Sequence, residues 1–257
     1  MNRRIAVVVG GVQGIGFAVC QKLVQDCESL AVVDINGAAA TKAAKKLSGE
    51  NAKVIGLGAD ITDKAQVAAA RKTIEDELGS PTILVNSAAI VDDKRFLESS
   101  PEDWKRMIDV CLYGPMNVLH EFLPGMVDGG YGRVVCLASD SYKLGQARLS
   151  YYAAAKGGVV ALVKSIGQEI GRNGVNLNVV SPGATNTEMR KEREKGLMEE
   201  MGPEKYEKRQ KAVLRLYPAG RLGEPDDVAS AVHFLTTDNA SWIMGQVLSV
   251  NGGFTMA

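Results

Sequence analysis

The sequence predicts an α/β fold: one doubly wound, seven-stranded parallel sheet with helices on both faces. Two observations carry this. Short β-branched runs alternate with longer helical patterns along almost the whole chain. Strands separated by helices of about ten residues or more pair in parallel through right-handed crossovers. In addition, the first strand runs straight into a glycine-rich turn and a helix, and the second strand ends in an aspartate. The 257 residues show no linker, repeat or low-complexity tract, so 1–257 reads as one domain.

In chain order, the first strand is the apolar run 5–9, and the glycine turn after it opens a helix over 14–24. A second strand over 30–34 precedes a helix over 38–47, and a third over 54–57 precedes a helix over 64–78. The fourth strand, 83–86, leads to one long helix over 101–126. The fifth, 133–138, leads to a helix over 152–171 whose opening alanines favour that state. The sixth strand, 176–181, is followed by a change of texture: residues 188–215 are crowded with charges. That stretch reads either as a pair of solvated surface helices or as a helical flap over a substrate, since loops beyond the carboxyl ends of parallel strands are where ligands bind. A helix over 225–235 and a strand over 246–250 complete the pattern.

Hydrophobic residues make up 46% of the chain, ample for a sizeable core. The 30 basic residues balance the 30 acidic ones, so no global field draws nucleic acid or an anionic membrane. Two histidines and four scattered cysteines, Cys20, Cys27, Cys111 and Cys136, offer no metal-ligand spacing, and no metal is expected. Free cysteines in apolar surroundings suit a reducing cytoplasm. The opening MNRRIAVVVGGV imitates a signal peptide, but glycines and Gln13 interrupt the run and no small-residue cleavage site follows. No segment approaches the ~18 apolar residues of a membrane span. The expectation is a cytoplasmic protein acting on a small molecule.

The turn Gly10-Gly11-Val12-Gln13-Gly14-Ile15-Gly16 allows backbone to approach a pyrophosphate, and the helix after it supplies free N–H groups to the anion. Asp34, 18 residues after Gly16, is placed to accept hydrogen bonds from an adenosine ribose. It would also repel a 2′-phosphate, and neither the turn nor Ile35-Asn36 offers an arginine to hold one, so NAD is preferred over NADP. Farther on, SYYAAAK at 150–156 places Tyr152 and Lys156 on one helix face, with Tyr151 pointing elsewhere. A phenol beside an ammonium is a candidate proton donor with a lowered pKa, although a packed ring beside a solvated charge has the same spacing.

At these residues the sequence resembles the short-chain dehydrogenase/reductase family, whose fold is Rossmann-like, over essentially the full chain. Residues 10–16 match its cofactor turn, Gly-x-x-x-Gly-x-Gly, and Asp60-Ile61 is similar to its adenine-contacting pair. Asn86-Ser87-Ala88-Ala89 resembles its Asn-Asn-Ala-Gly segment, and Tyr152 with Lys156 matches its Tyr-x-x-x-Lys. Ser139 stands 13 residues before Tyr152, where the family keeps its serine, and Pro182-Gly183 followed by Thr185 and Thr187 resembles its nicotinamide-side loop. The resemblance implies that Ser139 holds the substrate oxygen and Tyr152 exchanges its proton. Lys156 would lower the phenol pKa and bind the nicotinamide ribose, and Thr187 with the backbone near Ala184 and Thr185 would orient the carboxamide. Tyr152 is then the chemical tyrosine and Tyr151 is packing.

Three departures stand out: Val9 for the family's threonine, Ala89 for a glycine, and Cys111 for the catalytic asparagine. The resemblance implies that Cys111 keeps a carbonyl for a proton relay but loses the side-chain brace of a helix kink. Residues 137–141, 220–227 and 245–253 are similar to hydroxyacyl-CoA dehydrogenases of aromatic and alicyclic acid breakdown, such as 2-hydroxycyclohexanecarboxyl-CoA dehydrogenase. Lys143, Arg148, Arg190, Lys191 and Arg193 are candidates to meet CoA phosphates or to stand as solvated charges. An NAD-dependent alcohol dehydrogenase is expected, with a weak or inactive partner subunit of a heteromeric dehydrogenase as the alternative. The resemblance also implies tetramers with two-fold axes, built from identical or related subunits.

Overall fold

The structure, a computed structural model, describes residues 3–49 and 52–256. The ends of the domain reading, 1–2 and 257, lie outside the described residues, as do 50 and 51. Seven strands form one sheet in the order β3-β2-β1-β4-β5-β6-β7. They are β1 (Ile5–Val9), β2 (Ser29–Asp34), β3 (Lys53–Gly58), β4 (Ile83–Asn86), β5 (Gly132–Leu137), β6 (Val175–Pro182) and β7 (Val247–Val250). Every pairing is parallel, as the alternation of strands and helices predicts.

Helices cover both faces. On one lie α1 (Gly14–Leu23), α2 (Gly37–Leu47) and α10 (Pro225–Leu235). On the other lie α3 (Lys64–Leu78), α5 (Gly114–Asp128) and α7 (Ser150–Ile170). The period-2 alternation of a strand divides the core between them. Val7 and Val9 pack with Val67, Phe122 and Val159, whereas Ala6 and Val8 pack with Val19, Leu23 and Val232. All four cysteines are buried and unpaired. Among the described residues no helix is long and apolar enough to cross a membrane, and no group of histidine, cysteine and carboxylate side chains is placed to hold a metal.

The long helix expected over 101–126 is broken. It divides into α4 (Pro101–Ile108), a π-turn at Asp109–Tyr113 and α5. Pro115 is the physical reason: it has no N–H to close an α-turn on the carbonyl of Cys111, and its ring crowds that carbonyl. The backbone widens instead, and Gly114 donates its N–H five residues back, to Asp109. A short α6 (Ser141–Leu144) follows β5. The charged stretch folds as α8 (Glu188–Met201) and α9 (Pro203–Arg215), separated by Gly202 at φ +81°.

α2 lies so close to β3 that a Cβ on Gly56 would sit 2.3 Å from the Ala40 carbonyl oxygen. Gly56→Ala is expected to lower stability by about 1–3 kcal/mol, the usual consequence of overpacking. Gly49→Ala, where a Cβ meets nothing within 4 Å, should change it by less than about 0.5 kcal/mol. Urea unfolding of the two variants checks the pair.

Candidate active site

Strand order reverses between β1 and its neighbours β2 and β4, and there the carboxyl ends open on a cleft of about 810 Å³. Gly10, Gln13, Gly14, Ile15, Asp34, Ile35, Asp60, Ile61, Ala88, Pro182, Gly183, Thr185 and Thr187 all line it. Gly16 and Asn86 do not. A Cβ on Gly16 would stand 2.0 Å from the Gly10 carbonyl oxygen, so this glycine lets α1 close onto the turn beneath the cleft. Buried Asn86 accepts the Ala88 N–H at 3.3 Å and shapes the loop from below. Gly10 has φ +76° and leaves room only for the Ala88 backbone, 2.6 Å from where its Cβ would be.

This cradle fits a dinucleotide. The first turn of α1 has no side-chain cap from Gln13, so its N–H groups remain for an anion. Asp34 uses Oδ1 to accept the Asn36 N–H at 3.1 Å, and Asp60 uses Oδ1 to hold Thr62 at 2.8–2.9 Å. Each keeps a second carboxylate oxygen at the cleft. Thr187 caps α8 by accepting the Arg190 N–H at 3.3 Å, and Thr185 donates to the Gly183 carbonyl at 3.1 Å.

Ser139, Tyr152 and Lys156 meet on the same cleft from two elements, the end of β5 and the first turns of α7. Ser141 donates both its hydroxyl (3.1 Å) and its N–H (3.3 Å) to the Ser139 oxygen. Ser141 so occupies the acceptor side of Ser139, whose hydroxyl beside Tyr152 favours the phenolate. Lys156 is buried, and its ammonium donates to the Leu137 carbonyl at 2.9 Å, 5.8 Å from the Tyr152 ring centre. The expected lowering of the phenol pKa by Lys156 is not what this arrangement produces. Desolvation, reinforced by the neighbouring Cys111, pushes the Tyr152 phenol above its ordinary value, and the Ser139 bond and the Arg193 charge oppose it only in part. Desolvation also lowers the Lys156 pKa. Tyr151 is buried away from the cleft and donates to Asp92 at 2.7 Å.

Cys111 is fully buried and does not line the cleft. The expectation that it loses the brace is also corrected. Its thiol accepts the Ile90 N–H at 3.5 Å and donates to the Ile90 carbonyl at 3.4 Å, tying the π-turn to the loop after β4. Through these two bonds the thiol takes up the bracing. Cys111→Ala would strand both Ile90 groups and is expected to cost about 1–3 kcal/mol. Cys111→Ser should keep most of that stability. Thermal unfolding of the two variants measures the difference; equal losses would show that the sulfur volume, and not its bonds, matters.

Sequence reasoning missed part of the wall. Tyr217 and Phe254 stack with ring centres 5.0 Å apart and line the cleft, and residues of α4 and the π-turn close its other end. The faint signal for the first pair was Gly252-Gly253, whose positive φ values turn the tail back over the cleft. Of the five basic candidates, Lys191 stands as a solvated charge, 65% exposed and paired with exposed Glu188, whereas Lys143 bonds Ser249, Arg148 pairs with Asp93 and Glu200, Arg190 with Glu194 and Arg193 with Asp93. Only Arg190 and Arg193 among them line the cleft.

Residues 10–255 match the family described as enoyl-(acyl carrier protein) reductase. The chain is 35% identical to a 3-oxoacyl-(acyl-carrier-protein) reductase of Vibrio harveyi over 257 residues, which cover 100% of this chain and 99% of that protein. It is 36% identical to an acetoacetyl-CoA reductase of Rhizobium meliloti over 251 residues, 97% of this chain and 98% of that protein. A 2,3-dihydroxy-2,3-dihydro-p-cumate dehydrogenase of Pseudomonas putida is 33% identical over 257 residues, 100% of this chain and 96% of that protein. From glycine turn to C-terminal tail, these matches show that the chain belongs to the short-chain dehydrogenase/reductase family of oxidoreductases.

Proposed function

We propose that this chain interconverts a secondary alcohol and a ketone with NAD as hydride carrier. The observation that carries the reading is the meeting of Asp34, Ser139, Tyr152 and Lys156 on one cleft. Bound at this cleft, NAD would supply the hydride acceptor for oxidation and NADH the hydride donor for reduction. Ser139 donates its hydroxyl proton to the substrate oxygen, and the Tyr152 phenolate accepts the alcohol proton as the carbonyl forms. Lys156 spends one of its three donors on Leu137 and has two for the ribose hydroxyls of the cofactor. Asp34 supports NAD over NADP, since it accepts from ribose hydroxyls and repels a phosphate, and no lysine or arginine follows it before Lys42.

The finer reading is that the alcohol lies on a hydroxyacyl thioester of aromatic or alicyclic acid breakdown. The resemblance at 137–141 and the acyl thioester names of two relatives support it. CoA phosphates would have to displace existing partners of Lys143, Arg148 or Lys191. Assembly into a homotetramer, or a heterotetramer with a related subunit, belongs to the same proposal. Trp242 at 99% exposure and Leu248 of the edge strand β7 at 39% supply apolar surface for it.

Titration calorimetry should give NAD at least tenfold tighter than NADP, about 1.4 kcal/mol; equal affinities would remove Asp34 as the selector. Tyr152→Phe should lower turnover by about 10² to 10⁴, and Tyr151→Phe far less. Binding of NAD with no turnover of any alcohol or thioester by the parent would point instead to the partner-subunit role.

The pH dependence follows from the raised phenol. At neutral pH Tyr152 is protonated, ready to give its proton in reduction; oxidation needs the phenolate and should accelerate as pH rises. Ultraviolet titration of the cofactor-free protein against Tyr152→Phe should place the missing ionisation above the ordinary value of 10.0. An ionisation below it would mean that the Lys156 charge outweighs desolvation.

A further inference from the structure

We infer that the substrate carries a free carboxylate close to its carbinol, bound by Arg193 with Arg190 beside it. The inference rests on the proposed alcohol–ketone reaction and specifies the acyl part of its substrate. Arg190 and Arg193 stand three residues apart on α8, on the one helix face that reaches the cleft. Their side chains are only 15% and 16% exposed, so they belong to the interior of the cleft and not to its solvated rim. Arg193 gives its Nε to Asp93 at 2.8 Å. A guanidinium has five N–H donors, so its two Nη groups, with four of them, remain for a ligand. Its charge reaches the reacting end of the cleft, where it favours the Tyr152 phenolate.

The local charge balance favours an anion. Arg148 and Arg193 share Asp93, Arg148 also meets Glu200, and Arg190 and Arg209 share Glu194, so four guanidiniums face three carboxylates. This network keeps one positive charge in excess, in a wall that also carries Ile90, Val91, Leu149, Met189 and, paired with Lys191, Glu188. An apolar pocket holding a fork of N–H donors matches an apolar acyl body with a planar carboxylate, which accepts such a fork in bidentate fashion. Both arginines are too buried, and Arg193 acts too close to Tyr152, to serve phosphates at the end of a long CoA arm.

Matched substrates test this: 3-hydroxybutyrate against 3-hydroxybutyramide, and 3-hydroxyglutaryl-CoA against the amide of its free carboxyl. In the parent the carboxylate member of a pair should exceed the amide by about a hundredfold in kcat/KM, and in Arg193→Gln the ratio should fall to near unity. Arg193→Lys, which keeps the charge but not the fork, should lie between them, and NAD affinity reports the folding of each variant. A role through Tyr152 alone would change acid and amide equally and leave the ratio intact. Turnover without preference, or a preference untouched in Arg193→Gln, overturns the inference while leaving the oxidoreductase reading standing. Turnover of neither pair, nor of simple secondary alcohols, by the NAD-bound parent overturns that reading and the inference with it.

Discussion

Parallel pairing is the constraint on which the rest depends. A crossover returns every strand in the same direction, so all seven carboxyl ends fall on one edge of the sheet. Asp34 and Asn86 end their strands, Ser139 and Asp60 stand two residues beyond theirs, and Gly10 and Gly183 one. Because β1 has β2 on one side and β4 on the other, the helices leave on opposite faces at that point and the cleft opens between them. Gly16 makes the arrangement tight enough to work: without a Cβ, α1 closes onto the Gly10 carbonyl and aims its N–H groups into the cleft.

Desolvation sets the protonation states of the reacting groups. Lys156 is buried beneath Tyr152 and bonded to Leu137, so its own ammonium is weakened by the same loss of water that weakens the phenolate. The result is a neutral phenol beside Ser139, whose oxygen accepts both donors of Ser141. A chain of hydroxyls replaces the simple picture of a cation pulling on a phenol. The π-turn at Asp109–Tyr113 lies against this assembly, and Cys111 pins it to Ile90 with a thiol where the family's resemblance implies an amide.

The substrate side is built on Asp93. It lies in the loop after β4 and accepts from Arg148 at 2.6 Å and from Arg193 at 2.8 Å, joining the segment before α7 to α8. Arg148 adopts φ +69°, the one positive φ at a non-glycine among the described residues. That conformation is costly for an arginine and is held by bonds to both Asp93 and Glu200. In the charged stretch 188–215, α8 is anchored to the domain through Asp93 and presents two arginines to the cleft, whereas α9 buries no residue.

By itself the sequence determined the strand order along the chain, the glycine cradle, Asp34 and the pairing of Tyr152 with Lys156. These are legible because each rests on local rules: a period of two or 3.6 residues, a turn that only glycine permits, a spacing of four on one helix face. Even the break in the helix over 101–126 was written locally, in Gly114-Pro115, although periodicity alone passes over it. Only the tertiary structure decided that burial raises the Tyr152 phenol, that the Cys111 sulfur reaches Ile90, and that Tyr217 and Phe254 wall the cleft. It also decided which two of the basic candidates turn inward. The reason is physical: desolvation and charge pairing depend on groups brought together from distant parts of the chain, such as Asp93 with Arg193, and no periodicity encodes them.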